Sequence, residues 1–366
     1  MKIAYIGIKG LPSKGGAERA VEAITHRLSG RHEITIYCSN RYTPLQATVS
    51  GMRLIRLPCL LGKHVHMASV DLLAAWHAVL FGNYDLIHLH NIEASFVLPI
   101  LKLRYRVAAT AHGRIKPGNK WGKISAALMR FMELPFGIMT DAMTSVSLRH
   151  AQQLSSRFRR PVSYIPNGVD HTEKTDTELA RRVLEKNHMP VHDCMLFVAD
   201  RIIPLKGAHL LLNAFKQIEG SIHLVIVGNL SQLPEYANSL KALADSRTHF
   251  IPFLNSRSAL LGLMKLSRLF VFPSTDEAMS MVLLEAASMG TPILCSDIPA
   301  NMAVLPEQTL CFRSGDVDDL ADKLRWALEH HAEMARLGQE AQSWVRTRLS
   351  WDLIAEQYDR LYHQSV

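Results

Sequence analysis

Along the chain, short apolar runs rich in β-branched residues alternate with longer stretches whose apolar positions recur at helical spacing. This rhythm predicts βα units built around parallel sheets. In the first half it predicts strands over Lys2–Ile8, Glu33–Cys38, Met52–Leu57, Leu86–Leu89, Val107–Ala111, Ala142–Ser145 and Val162–Ile165. A polar stretch, Asp170–Asp176, follows Asn167 and Gly168 and interrupts the pattern, so an inter-domain hinge is expected there. Beyond it the rhythm restarts, with strands over Met195–Val198 and near His223–Val227, His249–Ile251, Leu269–Phe272, Pro292–Cys295 and Thr309–Phe312. From Asp316 the chain reads as helix to its end, with breaks near His331 and Ser350. The last helix carries Trp351, Ile354, Tyr358 and Leu361 at helical spacing, an apolar stripe that needs a surface to lie on. Two doubly wound parallel-sheet domains are the expected α/β fold.

Size agrees with two domains, because 366 residues exceed the roughly 250–300 at which a single core stops growing. The hydrophobic share of 48% and charged share of 20% are those of a globular chain. Its longest apolar stretches, Ala68–Phe81 and Met139–Val146, are short or broken by Asp71, His77 and Asp141, well under the ~20 residues that span a bilayer. The first strand begins at Lys2, so no signal peptide is expected. Cys38, Cys59, Cys194, Cys295 and Cys311 are scattered and never form C-x-x-C, which argues against a disulfide framework or a zinc site and for a reducing cytoplasm. Charge is uneven: residues 1–171 hold 22 Lys and Arg against 9 Asp and Glu, a net +13, while the remainder is −5. The basic half is expected to meet something anionic, such as a membrane surface, a lipid phosphate or nucleic acid.

Three constellations sit where strands end, the edge at which doubly wound sheets bind ligands. After the first strand, Gly15 and Gly16 would let backbone amides approach a phosphate at the positive end of the following helix. Neither G-x-G-x-x-G nor a Walker pattern is present to point to a dinucleotide or to ATP hydrolysis. The strand 195–198 leads to Arg201 and Lys206. Lys206 is expected to open the next helix, where a cation conflicts with the helix dipole unless an anionic ligand relieves it. A diphosphate would do so, gripped in bidentate fashion by Arg201 and neutralised by Lys206. The strongest stretch is Pro273 to Gly290, with Glu277 on a loop and Glu285 in a helix. Acceptor-only carboxylates suit a sugar or ribose diol, and the amides of Met279, Ser280, Met281 and Val282 at the helix start suit a phosphate. His88 and His90 alternate on a strand and would face one side, but no carboxylate at metal spacing accompanies them, so structural or cleft-lining roles are expected. Asp316-Val317-Asp318-Asp319 reads as the acidic opening of a helix, not as a metal-binding D-x-D.

Taken in order, Gly15-Gly16-Ala17-Glu18, His112-Gly113-Arg114, Ile165-Pro166-Asn167-Gly168-Val169-Asp170, Arg201 with Lys206, and Glu277 with Glu285 span essentially the whole chain. The set resembles the family 4 glycosyltransferases, retaining enzymes of the GT-B fold. The resemblance implies two Rossmann-like domains facing a cleft. Residues 1–168 would form an acceptor-side domain and 169–350 a nucleotide-sugar domain, with helix 351–366 crossing back to the first. It implies that Glu277 contacts the donor sugar, Glu285 the ribose, Arg201 and Lys206 the diphosphate, and Gly16 a phosphate through its amide. His112 would lie beside the sugar's reactive face, and Gly15, Asn167 and the run Met279–Val282 would complete the donor site. The family commonly has Gly-Phe-Gly after its first glutamate. Here Ala278-Met279-Ser280 stands instead, so side chains replace hydrogens and a narrower sugar pocket is expected.

The expected reaction moves a hexosyl residue from a nucleotide-diphosphate sugar, UDP- or GDP-linked rather than dTDP-linked, to a glycan or lipid-linked acceptor of polysaccharide or lipopolysaccharide assembly. Arg201, Lys206 and helix-end amides would stabilise the departing diphosphate, so neither metal nor cofactor is expected. Base contacts are expected around Ile202 and Pro252–Asn255, mostly through backbone. Lys116, Lys120, Lys123 and Arg130 flank Trp121, Leu128, Met129 and Phe131. That basic amphipathic segment would rest on an anionic leaflet, making the protein cytoplasmic and peripheral at the inner face, with no nucleic-acid partner. Two rivals share the scaffold: a sugar-nucleotide epimerase and a non-catalytic nucleotide-sugar-binding module.

Overall fold

The computed structural model describes the chain apart from residues 14, 47, 48, 50, 61–65, 114–121, 171, 188, 190–192, 253, 255 and 366, and over 122–130 it describes the backbone alone. The chain divides into two compact units, Met1–Gly168 with Trp351–Val366, and Val169–Ser350.

The first unit holds a seven-stranded sheet of β1 (Lys2–Ile6), β2 (Glu33–Ser39), β3 (Met52–Leu57), β4 (Leu86–His90), β5 (Arg106–Ala111), β6 (Ala142–Ser145) and β7 (Ser163–Tyr164). All are parallel, in the order β3-β2-β1-β4-β5-β6-β7. The order reverses between β1 and β4, which places a ligand-binding crevice at their carboxyl ends. The inner strands are apolar runs because helices cover both faces of such a sheet; Ile6, Ile87, Leu89, Val107 and Ala109 are fully buried. The C-terminal helix, Trp351–Ser365, packs against the helix Gly16–Leu28 and against β5. It buries Trp351, Ile354, Ala355, Tyr358 and Tyr362, so its apolar stripe has the surface it needs. Leu361, expected in the stripe, is only half-buried, and Tyr362 takes the inward position.

The second unit holds a six-stranded parallel sheet in the order β10-β9-β8-β11-β12-β13. Its strands are β8 (Cys194–Arg201), β9 (His223–Asn229), β10 (Thr248–Ile251), β11 (Leu269–Phe272), β12 (Ile293–Ser296) and β13 (Leu310–Phe312). The order reverses between β8 and β11. Met195, Phe197, Leu211, Ile226, Val271 and Leu294 lie in its core.

β1 stops at Ile6, short of the expected Ile8, β7 keeps only Ser163–Tyr164, and two further differences from the sequence reading bear on the site. β8 runs past Val198 to Arg201, because the pairing with β9 continues through an irregularity to Arg201 opposite Asn229. Lys206 does not open the next α-helix. Pro204, with its fixed φ, starts a single 3-10 turn over Pro204–Lys206, Gly207 ends it at φ 74°, and the helix begins at Ala208.

Candidate functional site

In the second unit the candidate residues collect where the strand order reverses. Arg201 ends β8, exposed to solvent, and its side chain makes no hydrogen bond or ion pair among the described residues. Gly207 then lies so close to the carbonyl of Pro273 that a Cβ there would overlap it. This approach, which only glycine allows at a positive φ, brings the Pro204–Lys206 turn against the loop after β11. The amide of Thr275 donates to the carbonyl of Leu205 at 2.9 Å. The Nζ of Lys206 donates to Oε1 of Glu277 at 2.6 Å, with the carboxylate largely enclosed. Two residues 71 apart in sequence thus form one charged pair at the carboxyl ends of the neighbouring strands β8 and β11.

The helix Met281–Ser288 starts just beyond Glu277. Ser280 caps it by accepting from the amide of Leu283 at 3.4 Å, so its hydroxyl serves the helix rather than projecting freely. Met281 and Val282 are the first helical residues, whose amides have no acceptor within their own helix. Met279 is buried. Glu285, one turn further, is fully buried. Nη1 of Arg257 donates to its Oε1 at 2.8 Å, and the same guanidinium binds Glu173, donating to Oε2 at 2.6 Å. Burial opposes the Arg257 charge, but Glu285 and Glu173 outweigh it and hold the guanidinium above its ordinary value. Neither Arg257 nor Glu173 was marked by the sequence. Their only signal is general: a buried glutamate needs a cation.

In the first unit, Gly15 caps the helix Gly16–Leu28, and a Cβ at Gly15 would overlap the carboxylate of Glu18. That carboxylate accepts from the amide of Lys9 at 3.3 Å, so this helix start already lies beside an acidic group. Asn167 is buried near the end of the unit. His112 follows β5, and its Nε2 lies 2.8 Å from Nδ1 of His90 at the end of β4. Burial pushes His112 down to about 4. His88 goes down to about 3, by burial and then by His112, while His90 lies well below its usual range through burial and its two histidine neighbours. All three rings are therefore neutral at neutral pH. His88 is bonded on both sides, to Tyr362 at 2.7 Å and to Thr110 at 2.7 Å, the structural role expected of it.

Arg114, Lys116, Lys120, Trp121, Phe253 and Asn255 lie outside the described residues, as do the side chains of Lys123, Leu128, Met129 and Arg130. Asp316 accepts from the amides of Asp318 and Asp319 at the start of the helix Val317–Glu329, as a cap does. Among the described residues, one group of potential metal ligands falls together, His32, Asp359 and His363, but Arg31 also binds Asp359 there and competes with any cation. No described helix is long and apolar enough to cross a membrane.

Residues 14–173 match the profile of Glycosyltransferase Family 4, and residues 181–344 that of Glycosyl transferases group 1. A relative, the MMP alpha-(1->4)-mannosyltransferase of Mycolicibacterium hassiacum, is 23% identical over 78% of this chain and 72% of its own. Among solved structures, sucrose-phosphate synthase from Thermosynechococcus elongatus superposes with a TM-score of 0.81 at 20% identity, covering 99% of this chain and 98% of that one. The Anabaena protein HepE, solved with UDP and glucose, gives 0.79 at 18% identity over the full length of both chains.

Proposed function

The chain belongs to the family 4 glycosyltransferases of GT-B fold, and from that premise we propose that it transfers a hexosyl residue from a UDP- or GDP-linked sugar to a glycan or lipid-linked acceptor, with retention and without a metal ion. The observation that carries this reading is the Lys206–Glu277 pair at the reversal point of the second sheet. As the glycosidic bond breaks, negative charge collects on the diphosphate. The Lys206 ammonium has three donors, so it can keep Glu277 and still neutralise a phosphate oxygen. Arg201, exposed nearby in sequence, is the second cation for the same charge. The amides of Met281 and Val282 add the fixed dipole of a helix start.

Glu277, an acceptor-only group, suits the sugar hydroxyls, and its bond to Lys206 couples sugar position to the leaving group. Glu285 takes the ribose. His112, Gly15, Gly16 and Asn167 are the first unit's contributors. Retention follows if the acceptor hydroxyl attacks from the leaving-group side and the diphosphate takes its proton. UDP and glucose in the HepE structure support a UDP-linked donor, and the mannosyltransferase relative supports a hexosyl group.

The test is turnover of a donor panel in the presence of chelator. Lys206→Ala and Glu277→Gln should each lower kcat by about 100-fold while the protein stays folded, the scale of losing one preorganised transition-state partner. Parental turnover by Lys206→Ala would sink the reading, and loss of parental activity in chelator would sink its metal independence. Donor incubated without acceptor separates the epimerase rival, which alone changes the sugar's configuration. Donor binding without turnover would favour the non-catalytic module.

A protein peripheral at the inner face of a membrane is the localisation we infer. Supporting it are exposed apolar side chains on two helices of the basic unit: Leu72, Trp76, Leu80 and Phe81 on His66–Phe81, and Phe131, Leu134 and Ile138 on Gly122–Met139. Both helices pack on the segment Ile92–Val97.

A further inference from the structure

We propose that His90 is a positioning residue. It donates its Nδ1–H to Nε2 of His112 and so fixes His112 as the Nδ1–H tautomer, a neutral hydrogen-bond donor toward the donor sugar. The inference rests on the reading that His112 meets that sugar.

Two imidazole nitrogens 2.8 Å apart share one proton, so one ring donates and the other accepts. The surroundings of His90 decide which. Its ring is fully buried, 4.0 Å from the centroid of His88 and 5.7 Å from that of Tyr5, and its Nε2 has no partner among the described residues. His88 cannot supply one, because Tyr362 and Thr110 occupy both of its nitrogens. If His90 carried its proton on Nε2, a buried N–H would be stranded; with the proton on Nδ1 only a lone pair is stranded, the lesser fault. A doubly protonated His90 would strand both an N–H and a charge. The proton therefore lies on Nδ1 of His90 and points at His112.

It follows that Nε2 of His112 is an acceptor and that its own proton is on Nδ1. This nitrogen has no partner among the described residues, and His112 is only partly buried, so the N–H is available to a ligand. The backbone holds His90 in register for this task. Gly7 lies against the carbonyl of His90, where a Cβ would overlap it. Asn91 takes a left-handed φ of 70° and donates from its side chain to the carbonyl of Gly7 at 2.9 Å. A neutral N–H of this kind orients a hydroxyl rather than exchanging a proton with it.

Full-length protein labelled with 15N-histidine, examined by two-bond proton–nitrogen correlation near neutral pH, should show His112 as the Nδ1–H tautomer, its signals assigned by their loss in His112→Gln. In turnover, His90→Asn keeps an N–H donor near the Nδ1 position and should hold kcat within about threefold, whereas the acceptor-only His90→Asp should lose about tenfold or more at equal melting temperature. A purely structural role would not separate these two variants. An Nε2–H tautomer of His112 in the parent overturns the inference whether or not the variants fold, and so does an equal loss in folded Asn and Asp variants. If the tautomer is as assigned but His112→Ala turns over normally, the role of His112 in the reaction fails instead.

Discussion

Arg257 shows what a single side chain adds to a site that its sequence neighbours cannot predict. Glu285 is fully buried, and its charge is tolerable only with cations and donors around it. Arg257 supplies one, and Glu173 on its other side keeps the guanidinium turned that way. Replacing Arg257 with Ala should cost about 2 kcal/mol of stability, a value set below the usual loss for a broken buried pair because the arginine is about a third exposed. The same change should raise the donor KM more than it lowers kcat, because Glu285 is assigned to the ribose and not to the breaking bond. Denaturant unfolding and donor titration read the two effects, and unchanged stability together with an unchanged KM would remove Arg257 from the site. Glu277, Glu285, Arg201 and Lys206 could be picked out in the sequence because they lie on the loops and helices that follow strands, where carboxylates suit diols and a cation at a helix start calls for an anion. Arg257 and Glu173 could not, since Arg257 reaches Glu285 across 28 residues and Glu173 across 84. His90 was visible only as one of two alternating histidines, and its bond to His112 depends on the register of β4 against β5.

At the scale of elements, each strand was legible because a buried parallel strand is a short apolar run, but its ends were not: pairing outlasts the apolar pattern in β8, while β1 stops at Ile6 and β7 keeps only Ser163–Tyr164. What the pattern could not supply was the turn at Lys206. Its form depends on Gly207 meeting Pro273, a contact between loops of different βα units. The C-terminal helix, in contrast, was readable from its stripe, apart from Leu361, whose inward place Tyr362 takes, while its return to the first unit was an expectation of the family resemblance. Ile354 on that helix is fully buried, while its neighbour Leu353 is exposed on the other side. Ile354→Ala should therefore destabilise the first unit by about 3 kcal/mol through lost burial and a residual cavity, and Leu353→Ala should stay within about 0.5 kcal/mol. Chemical denaturation of the two variants compares them directly; equal losses would mean that the helix does not pack through this face.

For the molecule as a whole, the uneven charge was countable from sequence, but the face that would use it was not. Ala68–Phe81 is apolar nearly all round, so periodicity cannot say which side faces out. In the structure Leu72, Trp76, Leu80 and Phe81 are exposed, and they lie within the segment 1–171 whose net charge is +13. Exposed apolar groups on a basic body meet both requirements of an anionic bilayer. Each Lys or Arg near such a surface contributes about 1 kcal/mol, a term that falls within the Debye length of about 8 Å at physiological salt. The apolar contribution does not depend on salt. The protein should therefore co-sediment with vesicles containing phosphatidylglycerol and not with pure phosphatidylcholine, and added salt should weaken but not abolish the binding. Trp76→Ser with Phe81→Ser leaves every charge in place and should weaken the remaining high-salt binding by about tenfold, since burying two aromatic side chains is worth several kcal/mol at most and only part of each is buried at an interface. Equal binding to both vesicle types would end the membrane reading. Binding that vanishes with salt and ignores the double substitution would leave charge alone as its cause, and the apolar faces of these two helices would then need another explanation.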